Sequence, residues 1–203
     1  MPNKSDNRIR EQVDALGRPS VDMLEKEISR QDRKESYRHL TRGVLISLIA
    51  AMAVIIIMTN MWLAVLQVEG SSMNPLLQMD DIVIAVRGGI PEKNDVIAFY
   101  NNNKVYIKRV IATGGDNVNI NADGIVSVNG IVLAESYVSE LALGDCDIEF
   151  PYRVPSETIF VLGDHRSSSF DSRDSKFGAV SNNQLIGKVK LRIWPLSQIG
   201  SVS

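Results

Sequence analysis

The sequence predicts an all-β domain of antiparallel sheets behind one N-terminal transmembrane α-helix. Two observations support that expectation. Twenty-six consecutive residues, Gly43 to Val68, carry no charge, and about 20 apolar residues suffice to cross the hydrocarbon core of a bilayer. Beyond them the chain becomes a series of short runs rich in Val, Ile, Tyr and Phe, broken by Gly, Asn and Asp, with almost no helical period.

Residues 1–19 are polar and unpatterned and read as disordered. From Ser20 to Arg42, Val21, Leu24, Ile28, Tyr37 and Leu40 recur at a weak helical spacing among charges of both signs. That pattern predicts a solvated helix running into the span. Val44 to Gln67 is apolar all round, so no face of it suits water; Thr59, Asn60 and Gln67 are polar intrusions near its far end, and Trp62 suits an interfacial ring there. Arg30, Arg33, Lys34, Arg38 and Arg42 precede the span, and the first basic residue after it is Arg87. Basic residues favour the cytoplasmic side. The expected layout is therefore a cytoplasmic tail over 1–43, a membrane anchor over 44–68 and an extracytoplasmic β-rich domain over 69–203. A polar lead of 43 residues and so long an apolar run predict an uncleaved anchor rather than a secretory signal.

Charge narrows the class. The net charge is −2 over 203 residues. Residues 1–43 hold 10 basic and 8 acidic side chains and residues 69–203 hold 12 and 16, which gives no nucleic-acid footprint. The roughly 135 residues beyond the span are enough for one domain with its own core. Cys146 is the single cysteine, so no intrachain disulfide can form; Asp145 and Asp147 beside it disfavour a thiolate, and an inert thiol is expected.

The strands follow in order. Asp81–Val86 comes first, before Gly88-Gly89. Val96–Tyr100 and Val105–Ile111 flank Asn101-Asn102-Asn103, a hairpin connection. Val126–Val128 and Ile131–Leu133 flank Asn129-Gly130, a strong hairpin signal. Thr158–Leu162 and Lys188–Trp194 supply two more, and an irregular excursion is expected between about Glu135 and Pro155.

Candidate chemistry centres on Ser72, in Glu69-Gly70-Ser71-Ser72-Met73-Asn74-Pro75, just outside the span. A serine hydroxyl needs an adjacent base. His39 lies before the span. His165, in Gly163-Asp164-His165-Arg166, could complete a Ser-His-Asp arrangement or could be a structural turn residue. Lysine serves only if burial lowers its pKa from about 10.4. Lys108, in the apolar run Val105–Ala112, is the best placed, although the pattern also fits an outward-facing strand lysine and spacing alone does not bring it to Ser72. The loop from Gly163 to Arg173 is dense in Asp, Ser and Arg; its arginines would compete for the carboxylates, so no metal site is expected.

Ser72-Met73-Asn74-Pro75-Leu76-Leu77, Asp81-Ile82-Val83-Ile84, Lys108-Arg109-Val110-Ile111-Ala112-Thr113-Gly114-Gly115-Asp116 and Gly163-Asp164-His165-Arg166 through Ser169-Phe170-Asp171-Ser172-Arg173 occur in that order, ahead of Trp194-Pro195-Leu196. Together they resemble bacterial type I signal peptidases, membrane-bound Ser-Lys proteases that remove signal peptides from exported proteins. Leu76 stands where the family usually has Thr, and His165 where it usually has Asn. The resemblance implies antiparallel sheets with an apolar surface on the membrane, Ser72 as nucleophile and Lys108 as general base. It further implies that Ser169 orients the lysine and that Asp164–Arg109 and Asp171–Arg173 pair to brace the site. Gly70 occupies the place where some members carry an oxyanion-binding serine, leaving the Ser72 N–H as the main donor. Implied substrates are preproteins with small residues before the cut, the lipid bilayer is a partner, and no cofactor is implied. Two other classes fit less well: a self-cleaving Ser-Lys protease of the SOS-repressor type, and a non-enzymatic membrane-tethered β module.

Overall fold

The computed structural model describes Arg8, Glu11, Gly17 and residues 21–202, without the side chains of residues 32–36. The expectation for 1–19 lies, but for those three positions, outside the described residues. Helix α1 spans Val21–Trp62, 42 residues. Its part Tyr37–Trp62 is long and apolar enough to cross a membrane.

The helix stops sooner than the charge-free run does. Leu63–Gln67 forms strand β1, paired antiparallel from Leu63↔Val86 to Gln67↔Ile82. A short apolar run reads alike as buried helix or strand, and here the free hydrogen-bonding edge of a neighbouring strand decides. Val44–Trp62 remains apolar and helical, about 28 Å at 1.5 Å per residue, close to the hydrocarbon thickness of about 30 Å.

From β1 onward the body is β-structure. Ile82–Val86 is β2, Val96–Asn101 β3, Lys104–Thr113 β4, Asn117–Ile120 β5, Val126–Val128 β6, Ile131–Val132 β7, Tyr152–Arg153 β8, Thr158–Leu162 β9, Val180–Ser181 β10, Leu185–Trp194 β11 and Gly200–Ser201 β12. The larger sheet runs β1-β2-β11-β3-β4-β9-β10 with β12 added on β11, and the smaller runs β7-β6-β5-β8. Every pairing is antiparallel. The two expected hairpin turns have the backbone they need: Asn102 and Asn103 take φ of 48° and 63°, and Asn129 and Gly130 take 54° and 81°. Positive φ at both central residues matches the right-handed twist of the flanking strands.

Antiparallel partners share a face, and that rule sorts β4. Ala98 pairs with Ile107 and Val96 with Arg109; Ala98, Ile107 and Val96 belong to a core with Met73, Leu77, Val83 and Val189. Phe99 pairs with Tyr106 and Ile97 with Lys108, on the opposite face with Val110, Val161 and Phe177. A third core lies between Ile111, Ala112, Phe160 and the strands of the smaller sheet. Lys108 is thus a basic residue on an apolar face, and Arg109 is one on the other.

The strand at residues 63–67 makes a testable difference between neighbours. Ala64 is buried and Val65 is 63% exposed. Ala64→Asp should destabilise the body by about 2 kcal/mol or more, as an uncompensated buried carboxylate does. Val65→Asp should stay within about 0.5 kcal/mol. Thermal melts of the two purified variants read the contrast, and equal losses would contradict the strand.

Candidate active site

Two segments converge on Gly163. The first is the turn from Gly70 to Asp81, which carries Ser72. It is tied at its base by the Val68 N–H to the Asp81 carbonyl (2.8 Å) and by the Asp80 N–H to the Val68 carbonyl (3.0 Å). Asp81, buried, accepts from the Gln78 N–H and from Arg192, whose guanidinium also donates to the Leu76 carbonyl. Met73 and Leu77 anchor the turn in the core on either side of Pro75. Ser72 is left half-exposed at the top. Gly70 reaches this turn with φ of 77°, a left-handed conformation that glycine adopts without strain.

The second segment leaves β9 at Gly163. The His165 N–H donates to the Ser72 carbonyl (3.0 Å), which lays the two segments side by side. A Cβ on Gly163 would sit 2.5 Å from the Ser72 carbonyl oxygen and overlap the Ser169 hydroxyl. No other residue type fits there, so Gly163 is a site residue that its own chemistry would never flag. Only its packing does.

Lys108 is 2% exposed. Its face-mates are Ile97, Tyr106 and Val110, and its Nζ donates to Ser169 Oγ at 2.8 Å. Burial lowers its pKa to about 8, against the opposing pull of Asp171; Arg173 lowers it further and Asp164 raises it. Burial wins because an ammonium in an apolar sheet forfeits its hydration. The amine bonds to Ser169, and the Gly163 turn lies against both the Ser169 hydroxyl and the Ser72 carbonyl; no hydrogen bond joins Lys108 to Ser72 among the described residues.

Arg109 and Asp164 form a buried bidentate pair at 2.9 and 2.8 Å. The register explains it: Arg109 faces Leu162 on β9, and Asp164, two residues on, stays on the same side. Asp171 and Arg173 form a second, at 2.8 and 2.9 Å, and Asp171 also accepts the Gly163 N–H at 3.0 Å. The His165 ring is partnered by Ser168, Nδ1 to Oγ 2.8 Å. Its ring makes no hydrogen bond to Ser72 or to a carboxylate among the described residues. Cys146 is a free, partly buried thiol whose Sγ contacts the Ile148 carbonyl at 3.6 Å.

Sequence reasoning passed over a third ion pair. Arg166 donates to Glu135 at 3.0 and 2.6 Å, with both side chains at most 4% exposed. Tyr137 donates to the same carboxylate at 2.9 Å, and its ring lies under the Arg109 guanidinium, 3.9 Å from Cζ to the centroid. Glu135 and Tyr137 come from the irregular excursion after β7. Arg166 stands in the Gly163-Asp164-His165-Arg166 motif, but nothing in the sequence assigns it an anion.

The family model for signal peptidase, peptidase S26, matches residues 40–194. A signal peptidase I of Bacillus caldolyticus is 40% identical over 147 residues, covering 64% of this chain and 79% of that protein. Signal peptidase IB of Staphylococcus aureus (strain Mu50) is 31% identical over 174 residues, covering 76% and 90%. A crystal structure of a signal peptidase I from Enterococcus faecalis V583 aligns at 29% identity with a TM-score of 0.41, over 49% of this chain and 97% of that one. By class, then, the protein is a serine endopeptidase. The chain belongs to the signal peptidase family, peptidase S26. Neither the self-cleaving repressor type nor the non-enzymatic module is favoured by these relatives.

The buried lysine has a stability signature. Its folded pKa of about 8 lies below the ordinary lysine value of 10.5, so beneath pH 8 both states are protonated and the native state bears the whole burden of the ammonium. Stability contributed by the group rises between about pH 8 and 10.5, where the unfolded chain still holds the proton; the gap corresponds to about 3 kcal/mol. Lys108→Met should therefore melt above the wild type at pH 7, with the difference closing towards pH 10.5. A difference independent of pH would contradict the burial.

Proposed function

We propose that this protein is the membrane-bound endopeptidase that removes N-terminal signal peptides from exported preproteins, with Ser72 as nucleophile and Lys108 as general base. The buried, hydrogen-bonded amine of Lys108 is the observation that carries this reading. Ser72 Oγ attacks the scissile carbonyl carbon while its proton passes to neutral Lys108 Nζ. The resulting ammonium protonates the departing amine as the C–N bond breaks, leaving an ester between Ser72 and the signal peptide. Water then attacks the ester, gives its proton to Lys108, and the free carboxylate departs as Ser72 is reprotonated.

Each supporting residue has a physical task in that scheme. Ser169 fixes the amine by its hydrogen bond. Arg109–Asp164 and Asp171–Arg173 hold the walls of the loop. The Ser72 N–H donates to no acceptor among the described residues, which leaves it available to the developing oxyanion. Gly70 offers no hydroxyl there. Substrates are preproteins with small side chains before the cut.

The apolar helix is the anchor of a single-pass plasma-membrane protein, with residues 1–43 in the cytoplasm and 69–203 outside. The basic residues before the span support that orientation. Protease added to intact spheroplasts should digest the β domain and spare the tail, read with antibodies to each end. Protection of the β domain would reverse the topology.

A second expectation separates a base from a mere cation. Arginine keeps the charge but does not lose its proton near neutral pH. Lys108→Arg should fold, by circular dichroism, and cleave a preprotein no faster than Ser72→Ala. Wild-type kcat/KM should fall about tenfold per pH unit below the lysine's pKa of about 8. A folded Lys108→Arg protein cleaving near the wild-type rate would return His165 as the base.

A further inference from the structure

We propose that Glu135 and Tyr137 are positioning residues for the reaction: they hold Arg166 and Arg109, and through them Gly163, against Ser72 and Ser169. The inference rests on the Ser72–Lys108 reading above. It starts from a closed circuit of contacts. Gly163 is joined to Asp164 by the chain, Asp164 to Arg109 by two hydrogen bonds, and Arg109 to the Tyr137 ring. The Tyr137 hydroxyl reaches Glu135, Glu135 takes two bonds from Arg166, and Arg166 Nε returns to the Gly163 carbonyl at 3.0 Å.

Stability alone is a poor reason for such a circuit. Buried ion pairs are often no more stabilising than apolar groups of the same volume. Their bidentate geometry does something apolar packing cannot: it fixes the plane and distance of each guanidinium. The circuit surrounds a turn that has no slack. Gly163 touches the Ser72 carbonyl and the Ser169 hydroxyl so closely that a single added methyl would collide with both. A shift of about 1 Å in this turn moves nucleophile and amine apart, and displacements of that size are worth large factors in rate.

The circuit also lies within electrostatic reach of the base. Lys108 senses Asp171, Arg173 and Asp164. Arg166 is compensated by Glu135 but also senses Asp171. Glu135→Gln weakens the bidentate hold on Arg166, which bonds the Gly163 carbonyl, and should lower kcat by loosening the turn. Tyr137→Phe removes a hydrogen bond and no charge, so it should lower kcat and leave the acid limb in place.

The test uses the full-length protein in detergent, cleaving a preprotein, with melting curves for every variant. Tyr137→Phe should lose roughly three- to tenfold in kcat at unchanged KM, and Glu135→Gln roughly tenfold or more, each at a temperature where the variant is fully folded. Two folded variants with kcat within twofold of wild type would overturn the proposal. So would kcat losses explained by unfolded protein, or losses confined to KM. If Glu135→Gln does not fold, Tyr137→Phe decides on kcat alone. Ser72→Ala and Lys108→Arg run beside them: activity in either one breaks the dyad reading itself, whereas inactive controls beside normal Glu135 and Tyr137 variants break only this inference.

Discussion

The amine of Lys108 has to lose its hydration for the site to exist, and the larger sheet is arranged around that requirement. Burying an ammonium among Ile97, Tyr106 and Val110 disfavours its charged form, and only a neutral amine can accept a proton from serine. Asp171 and Asp164 pull the other way. Each of these carboxylates is bound to an arginine of its own, Arg173 and Arg109, which blunts its pull on the lysine. The ion pairs therefore brace the loop and also keep two buried carboxylates from recharging the amine.

A second division of labour runs through β4. Adjacent residues of a strand face opposite ways, so Lys108 and Arg109 serve different faces from one backbone position apart. Lys108 meets the apolar face and Ser169, while Arg109 reaches Asp164 and the ring of Tyr137. The register shift between Val110 and Ala112 falls just beyond them, where the strand turns its remaining side chains towards the third core.

How much of this was legible depended on sequence distance. The long apolar helix, the two Asn-rich hairpins and the strands at residues 82–86, 96–101, 104–113 and 158–162 show in local pattern because periodicity and turn chemistry act over a few residues. Strands β5, β8, β10 and β12 did not show, since two to four residues are too few for alternation to register. β1 reads in sequence as the end of the span because Leu63–Gln67 is as apolar as the helix before it, and only pairing with β2 tells them apart. At the site, Ser72, Lys108, Ser169, Asp164, Arg109, Asp171 and Arg173 were picked out by motif. Glu135 and Tyr137 were not: they sit 31 residues from Arg166 and 28 from Arg109, in a segment without regular structure, and nothing local marks their contacts.

The direct passage from helix to strand at Trp62–Leu63 matters to anyone who would make a soluble form of this protein. Cutting away the whole charge-free run would also strip β1 from the sheet. The outer edge of β2 would then present unpaired N–H and C=O groups, a template on which other chains add and aggregate. Ala64 and Val68 would be missing from the core that anchors Met73, beside Ser72. A cut just behind Trp62 removes the greasy helix and leaves the sheet its own border.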